Sequence, residues 1–173
     1  MAFGEILKAF EDEEELPIEL DLVAKWIIEK GVQDEIEFIG VDMDEGILRG
    51  FLHRFRYSKV PYGDPTWAAN IYYERRQTAD WINIVCCKEL IHLMDGANAI
   101  NKKEQFDLLV KRLVLPRVLD NFLEDPNHVK MDKMGDVVAA ALLLPKAARA
   151  KLIAPYRDGL LTAQDIAEMA FLP

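Results

Sequence analysis

Five consecutive residues, Lys88-Glu89-Leu90-Ile91-His92, carry the chemistry that this sequence most clearly suggests. They match the helix pattern H-E-x-x-H except at the first position, where lysine stands in place of histidine. In the intact pattern two histidines four residues apart bind zinc on one helix face, and the glutamate activates a zinc-bound water. Protonated lysine has no lone pair for a metal unless burial lowers its pKa strongly. The segment therefore indicates a zinc-type helix that lacks one ligand.

Upstream of this segment, hydrophobic periodicity predicts one helix and then three strands. Pro17 suits the first turn of the helix, and Gly31 suits its end. Alternating apolar and polar residues predict two antiparallel strands joined by a turn at Asp44-Glu45-Gly46, and a third strand after a loop. The predicted ranges are 17–31 for the helix and 35–43, 47–56 and 67–74 for the strands.

Downstream of the third strand the chain is predicted to be mainly helical. Thr162 and Asp165 have the types and spacing of a helix-start capping pair, whose side-chain oxygens accept hydrogen bonds from exposed backbone amides. Three strands followed by several helices predict an α+β fold. The predicted helices, including the one that contains the degenerate segment, cover residues 78–94, 103–123, 133–152 and 162–171.

Length and one acidic stretch determine the predicted domain organisation. The 173 residues fit one domain of ordinary size, long enough to bury a substantial core. We assign residues 17–173 to this single domain. Residues 1–16 are predicted to be an N-terminal helix and an acidic connector, because the run Glu11 to Glu15 is typical of a segment surrounded by water.

Composition excludes several classes of protein. The net charge of -9 argues against general nucleic-acid binding, since neutralising phosphates requires a basic face. No apolar run is long enough to span a bilayer, so a membrane association is not expected. The first residues contain no basic stretch followed by an apolar core, and a cytoplasmic location is therefore predicted. Cys86 and Cys87 are adjacent, and we expect two reduced, buried thiols.

Two separated segments together resemble the ImmA/IrrE-like zinc metallopeptidase family, a small zincin-like fold known from phage, mobile-element and stress-response regulators. The first is INIVCCKELIHL at 82–93, which follows a predicted strand as the H-E-x-x-H helix of that family does. The second is DKMGDVVAAALLLP at 132–145, which is similar to the family's E-x-x-A-N-x-F-A-A-x-L-L-M-P. The resemblance implies a zincin-like α+β fold in which a small antiparallel three-stranded sheet packs against several helices.

Carried over position by position, the resemblance also implies site residues. Glu89 would be the general base, and His92 and Asp132 would be zinc ligands, although aspartate has a shorter arm than the glutamate of the family pattern. Lys88 would be the vestigial ligand position. Zinc is then possible, but no bound cofactor is expected, because a catalytic zinc site uses three protein ligands and a water.

The residue at position 88 admits three interpretations. Its ammonium could take the place of zinc, paired with Glu89, Asp132 or both, so that one cation replaces another. Alternatively, His53 on a predicted strand or His128 in a predicted loop could complete a shifted metal site. Finally, the polar residues of the segment could be ordinary positions on an amphipathic helix.

Two functions from different classes are consistent with the sequence. The first is a degenerate metallopeptidase-like domain, without catalytic zinc, that acts as a protein-binding or regulatory module of phage or mobile-element type. The alternative is an active zinc-dependent peptidase with an altered ligand set and Glu89 as general base. In either case the expected partner is a protein or a peptide substrate.

Overall fold

The computed structural model describes residues 2–44, 48–95 and 127–173. The helix predicted over 103–123, and most of the turn predicted at 44–46, lie outside these ranges. Within the described ranges an α+β fold is present, which confirms that prediction. Its helices are α1 Ala2–Ala9, α2 Leu20–Glu29, α3 Ala79–His92, α4 Asn127–Leu143, α5 Lys146–Arg157 and α6 Ala163–Ala170, and its strands are β1 Glu35–Val41, β2 Gly50–Tyr57 and β3 Thr66–Glu74.

The three strands form one mixed sheet in the order β1-β3-β2. β1 runs parallel to β3, with Glu35 opposite Ala68, whereas β2 runs antiparallel to β3, with Gly50 opposite Tyr73. The expectation of an all-antiparallel sheet, with the first two strands paired as a hairpin, is therefore wrong. The third strand in the chain lies between the other two.

Burial explains why β3 takes the centre of the sheet. Its residues Ala69 and Ile71 are fully buried, whereas the neighbouring strands carry exposed polar residues such as Glu37 and His53. A central strand forms hydrogen bonds on both sides and suits apolar residues, whereas polar side chains suit edge strands. The observed strand order places the most buried of the three strands at the centre.

The carboxylate of Glu74 ties the segment after β1 to the end of β3. It accepts hydrogen bonds from the Met43 amide, from the Arg76 amide at 3.0 Å and from Arg76 Nε at 2.7 Å. The Arg76 guanidinium also donates to the Met43 carbonyl at 2.8 Å. The Arg76 side chain and the two backbone amides lower the pKa of Glu74 to about 2, although its burial acts in the opposite direction. These bonds hold the chain against β3 before it reaches β2.

The N-terminal residues contribute to the same hydrophobic core as the rest of the described chain. Phe3, Ile6 and Phe10 are buried in one cluster with residues of α2, α3, α4 and the sheet. The helix predicted at the N-terminus is present as α1. It packs against α4, so α1 supports one of the two helices that carry the candidate site.

The acidic connector is more than a segment surrounded by water. The carbonyls of Glu11 and Glu13 accept hydrogen bonds from the first amides of α5, at 2.9 Å and 3.2 Å. The Glu14 carboxylate forms an ion pair with Lys151 of α5. The connector therefore caps α5 and neutralises part of its charge, which corrects the expectation of a segment that is only surrounded by water.

Two predicted helix boundaries near prolines differ from the observed ones. α2 starts after Pro17, beyond the cis Leu16-Pro17 bond, and not at the proline as predicted. The helix predicted over 133–152 is interrupted at Pro145, which has no N–H to donate and precedes α5. The predicted capping pair of Thr162 and Asp165 is confirmed at the start of α6.

Among the helices of the described ranges, none has the length and apolar character needed to cross a membrane.

Candidate functional site

The helix α3 carries the degenerate segment and packs against β2, β3, α2 and α4. It is buried on several sides, with Val85, Leu90 and Ile91 in the core. Lys88 and His92 are four residues apart, so they lie one turn apart on the same face of α3. Asp132 lies on α4, which packs against α3. The two segments that define the family resemblance are therefore adjacent in space.

The ammonium of Lys88 lies among carboxylates from both helices. Its Nζ is 2.7 Å from Asp132 Oδ1 and 3.5 Å from Glu89 Oε1. The Lys88 side chain is only 16% exposed, and Glu89 is 5% exposed. The predicted pairing of this lysine with both carboxylates is confirmed.

A third carboxylate, that of Asp136, lies one turn beyond Asp132 on α4. Its Oδ1 is 3.7 Å from Lys88 Nζ, but the side chain is 64% exposed. Burial of Lys88 disfavours its charged form, yet the charges of Glu89, Asp132 and Asp136 outweigh that effect and raise its pKa. Lys88 is therefore held as an ammonium, which cannot donate a lone pair to a metal.

His92 is oriented by a carboxylate that the sequence reasoning did not identify. Its Nδ1 is 2.5 Å from Oδ2 of Asp95, whose side chain is almost fully buried. Burial opposes protonation of the imidazole, but the hydrogen bond to Asp95 and the charge of Glu89 raise the pKa of His92 above its ordinary value. The other ring nitrogen, Nε2, is buried, has no hydrogen-bond partner among the described residues and lies 3.8 Å from Asp132 Oδ1.

Gly135 allows α4 to approach the site closely. A Cβ atom at this position would lie 2.8 Å from His92 Nε2 and 3.1 Å from Lys88 Cγ. Distances this short require the neighbouring atoms to move. Asp95 fixes the imidazole and Asp132 fixes the lysine head group, so neither side chain can move without losing a contact. A residue without a side chain therefore permits this helix contact.

The burial of the segment excludes one interpretation of it. Glu89 is buried, and the side chains of Lys88 and His92 are mostly covered. The polar residues of the segment are thus not ordinary solvent-facing positions of an amphipathic helix.

The preceding Cys86 and Cys87 are free and buried, as predicted. Burial, with the charge of Glu89 as a smaller cause, raises the pKa of Cys86 to about 12, and burial also raises the pKa of Cys87.

The donor set of the cluster does not fit catalytic zinc. His92 Nε2 and the Asp132 carboxylate are two donors on adjacent helices, whereas such sites use three protein ligands. The Lys88 ammonium binds one of these donors directly. Within the described residues, no group of three or more histidine, cysteine or carboxylate side chains is arranged to hold a metal.

Of the two other histidines, the structure describes the side chain of His53, which does not supply the missing ligand. His53 lies on β2 next to Leu52, whose side chain packs into the core, so His53 points to the opposite face of the sheet. There it stacks on Phe55 with ring centroids 5.1 Å apart. His128 lies in α4 and not in a loop as predicted. Its side chain is outside the described set.

The sequence reasoning missed Asp95 and Asp136 as members of the cluster. Both stand at helical spacing from residues that it did identify, since Asp95 follows His92 by three and Asp136 follows Asp132 by four. That spacing places side chains side by side on a helix. Helical spacing could therefore have identified Asp136. It gives a weaker signal for Asp95, because this residue lies just past the end of α3.

Comparisons with protein families, with curated proteins and with solved structures found no match.

Proposed function

We propose that this chain is a degenerate metallopeptidase-like domain of the ImmA/IrrE kind, which works without catalytic zinc and binds or regulates another protein. The observation that carries the proposal is the position of Lys88 Nζ, 2.7 Å from Asp132 and 3.5 Å from Glu89. The chain itself supplies the positive charge that these buried carboxylates require. An ion-paired and buried Glu89 is poorly placed to take a proton from water, so the arrangement favours a binding role over catalysis.

The resemblance in sequence and the arrangement in space support the same proposal. The residues that match the two family segments come from α3 and α4, and these helices pack against each other. The expected setting is a cytoplasmic regulator of phage or mobile-element type. Its partner would be a protein, recognised by the surface of the domain and not by a metal.

Metal content tests this proposal first. Protein purified without chelators and dialysed against metal-free buffer is analysed by mass spectrometry, and we expect no stoichiometric zinc in a folded, monodisperse sample. Near-stoichiometric zinc would contradict the proposal, because the chain would then contain a ligand that replaces the lost histidine.

The variant Lys88→His tests whether the cluster is a vestigial zinc site. It would add the third ligand and remove the ammonium, so we expect it to gain zinc binding. At a zinc concentration 100 times the dissociation constant, binding stabilises by about 2.7 kcal/mol, which raises Tm by about 5–10 °C. A chelator should reverse the increase. The matched control is Lys133→His, the same substitution at an exposed position of α4. A folded Lys88→His protein that responds to zinc no more than the control would contradict the proposed site.

One observation favours the alternative of an active zinc peptidase with altered ligands. Nδ1 of His92 is bound to a buried carboxylate, and Nε2 has no partner in the part of the chain that the structure describes, as in histidines that are oriented to ligate a metal. In this case zinc would copurify with the protein. The protein would also cleave an unfolded substrate such as casein, and both a chelator and the substitution Glu89→Gln would abolish cleavage.

A further inference from the structure

Helix α5 and the turn that follows it expose an apolar stripe to solvent. Ala148 is buried on the inner side of the helix. On the other side, Ile153, Tyr156 and Leu160 follow at helical spacing and are all exposed, Leu160 by 76%. Five residues share this side and define what we call the α5 outer face: Arg149, Ile153, Tyr156, Arg157 and Leu160.

The end of the α5 outer face is rigid. The Leu160 amide donates to the Pro155 carbonyl at 2.9 Å, and the Gly159 amide donates to the Tyr156 carbonyl at 3.2 Å. This pair of bonds is the Schellman pattern, and Gly159 adopts the left-handed φ of 71° that the pattern requires. The backbone of Leu160 is therefore fixed while its side chain remains in water. A partner that covers this side chain does not have to order the backbone that carries it.

The charge of α5 differs from that of the whole chain. The helix contains four basic residues and no acidic one, in a protein of net charge -9. Its lysines pair with the acidic connector, since Lys146 lies 3.9 Å from Glu11 and Lys151 binds Glu14. Arg149 and Arg157 are exposed and have no acidic partner within the described ranges. Two guanidinium groups, which suit bidentate binding of carboxylates, thus accompany the exposed apolar stripe.

We propose that the α5 outer face docks an amphipathic helix of another protein, with apolar side chains along its centre and aspartate or glutamate on its flanks. Apolar anchors would cover Ile153, Tyr156 and Leu160, and carboxylates would pair with the two arginines. Tyrosine and arginine often dominate binding energy at interfaces. The acidic connector already binds the lysines of the same helix in this way.

Charge favours an acidic helix over an anionic membrane as the occupant. A membrane would meet more of the protein surface than the two arginines, and the net charge of -9 would oppose its approach. A single helix meets only the local surface, because salt screens charges beyond about 8 Å at physiological ionic strength. The interface does not depend on the Lys88 cluster, so it can be tested whether or not the proposed function holds.

The test measures fluorescence anisotropy with a labelled synthetic helix on the full chain. The probe has leucines along one face and glutamates on both flanks, and it is long enough to cover the about 17 Å from Arg149 to Leu160. A second probe has lysine at every glutamate position. We expect saturable binding of the acidic probe, at least tenfold tighter than binding of the basic one.

Variants locate the interface. The double substitution Arg149→Glu/Arg157→Glu should reverse the preference between the two probes, and Ile153→Ser should weaken binding of the acidic probe at least tenfold. The matched control is Lys25→Glu, which reverses an exposed charge on α2. It should leave the preference between the two probes unchanged.

Three results would overturn the inference. The first is the absence of saturable binding of the acidic probe up to about 1 mM. The second is self-association of the wild-type chain, measured by sedimentation, that Arg149→Glu/Arg157→Glu abolishes, because the occupant would then be a second copy. The third is binding to vesicles containing phosphatidylserine that the same double variant abolishes, because the face would then contact lipid.

Discussion

Replacing Lys88 by methionine should destabilise the protein far more than an ordinary lysine substitution would. Methionine retains much of the length and apolar volume of the side chain but removes the ammonium. Glu89 and Asp132 would then remain as buried carboxylates without the cation that lies 3.5 Å and 2.7 Å from them. Removing one partner of a buried ion pair costs about 3–5 kcal/mol, because it leaves an uncompensated charge in the interior. Asp136 is mostly exposed and adds little to this cost.

Urea unfolding at neutral pH measures the effect. With an m-value of about 2 kcal/mol/M, a loss of about 4 kcal/mol lowers the midpoint by about 2 M. The matched control is Lys151→Met, which removes an ion pair with Glu14 at the surface, where both side chains are more than half exposed. Such a pair contributes less than about 1 kcal/mol, so the midpoint should fall by less than about 0.5 M.

A further variant separates charge from packing. If the loss comes from unpaired carboxylates, adding Glu89→Gln and Asp132→Asn to Lys88→Met should restore at least half of the lost stability. Equal midpoints for Lys88→Met and Lys151→Met would refute the claim that the ammonium compensates buried charge. A triple variant no more stable than Lys88→Met would show instead that packing of the lysine stem is what matters.

Four other residues give three separate tests. The pKa of Glu74 is lowered to about 2 in the folded protein, so its ionised form stabilises the fold above about pH 4.5, and this contribution is lost as the pH falls toward 2. Glu74→Gln should therefore be less stable than wild type at neutral pH, and urea midpoints of the two proteins should converge between pH 4.5 and 2; a difference that stays constant would contradict this reasoning. Cys86 and Cys87 are buried and their thiol pKa values are raised, so Ellman's reagent at pH 8 should react with neither thiol in native protein and with both in urea. Rapid reaction of one thiol in the native protein would contradict this prediction. Gly135→Ala should lower the free energy of unfolding by about 1–3 kcal/mol, because the new Cβ would press on His92. This overpacking should outweigh the gain in helix propensity of about 1 kcal/mol. A Tm above that of wild type would show that the imidazole can move away.

The elements of the fold were predictable where local signals are strong. The capping pair of Thr162 and Asp165 acts within one turn, and it marks the start of α6 correctly. The strands were found from alternation, which is also local. Their pairing was not found, because the bonds that decide it join distant residues, such as Glu74 to Met43. A turn-like sequence between two strands predicts a hairpin unless a third strand competes, and periodicity does not report how strongly each strand favours the centre of a sheet.

The candidate site was likewise predictable only in part from the sequence. The ion pair of Lys88 with Glu89 and Asp132 was predictable, because the resemblance placed all three residues and charge chemistry supplied the contact. The position of His92 beside Lys88 and Asp132 was not predictable, because it depends on how closely α4 approaches α3. That approach rests on Gly135, whose missing side chain carries no chemical signal in the sequence. The residue types of the segment therefore identify which charged groups come together, but the packing around them determines whether a buried ammonium is tolerated. Here a buried lysine at position 88 is compatible with the fold, because three carboxylates surround its head group and a glycine leaves room for its stem.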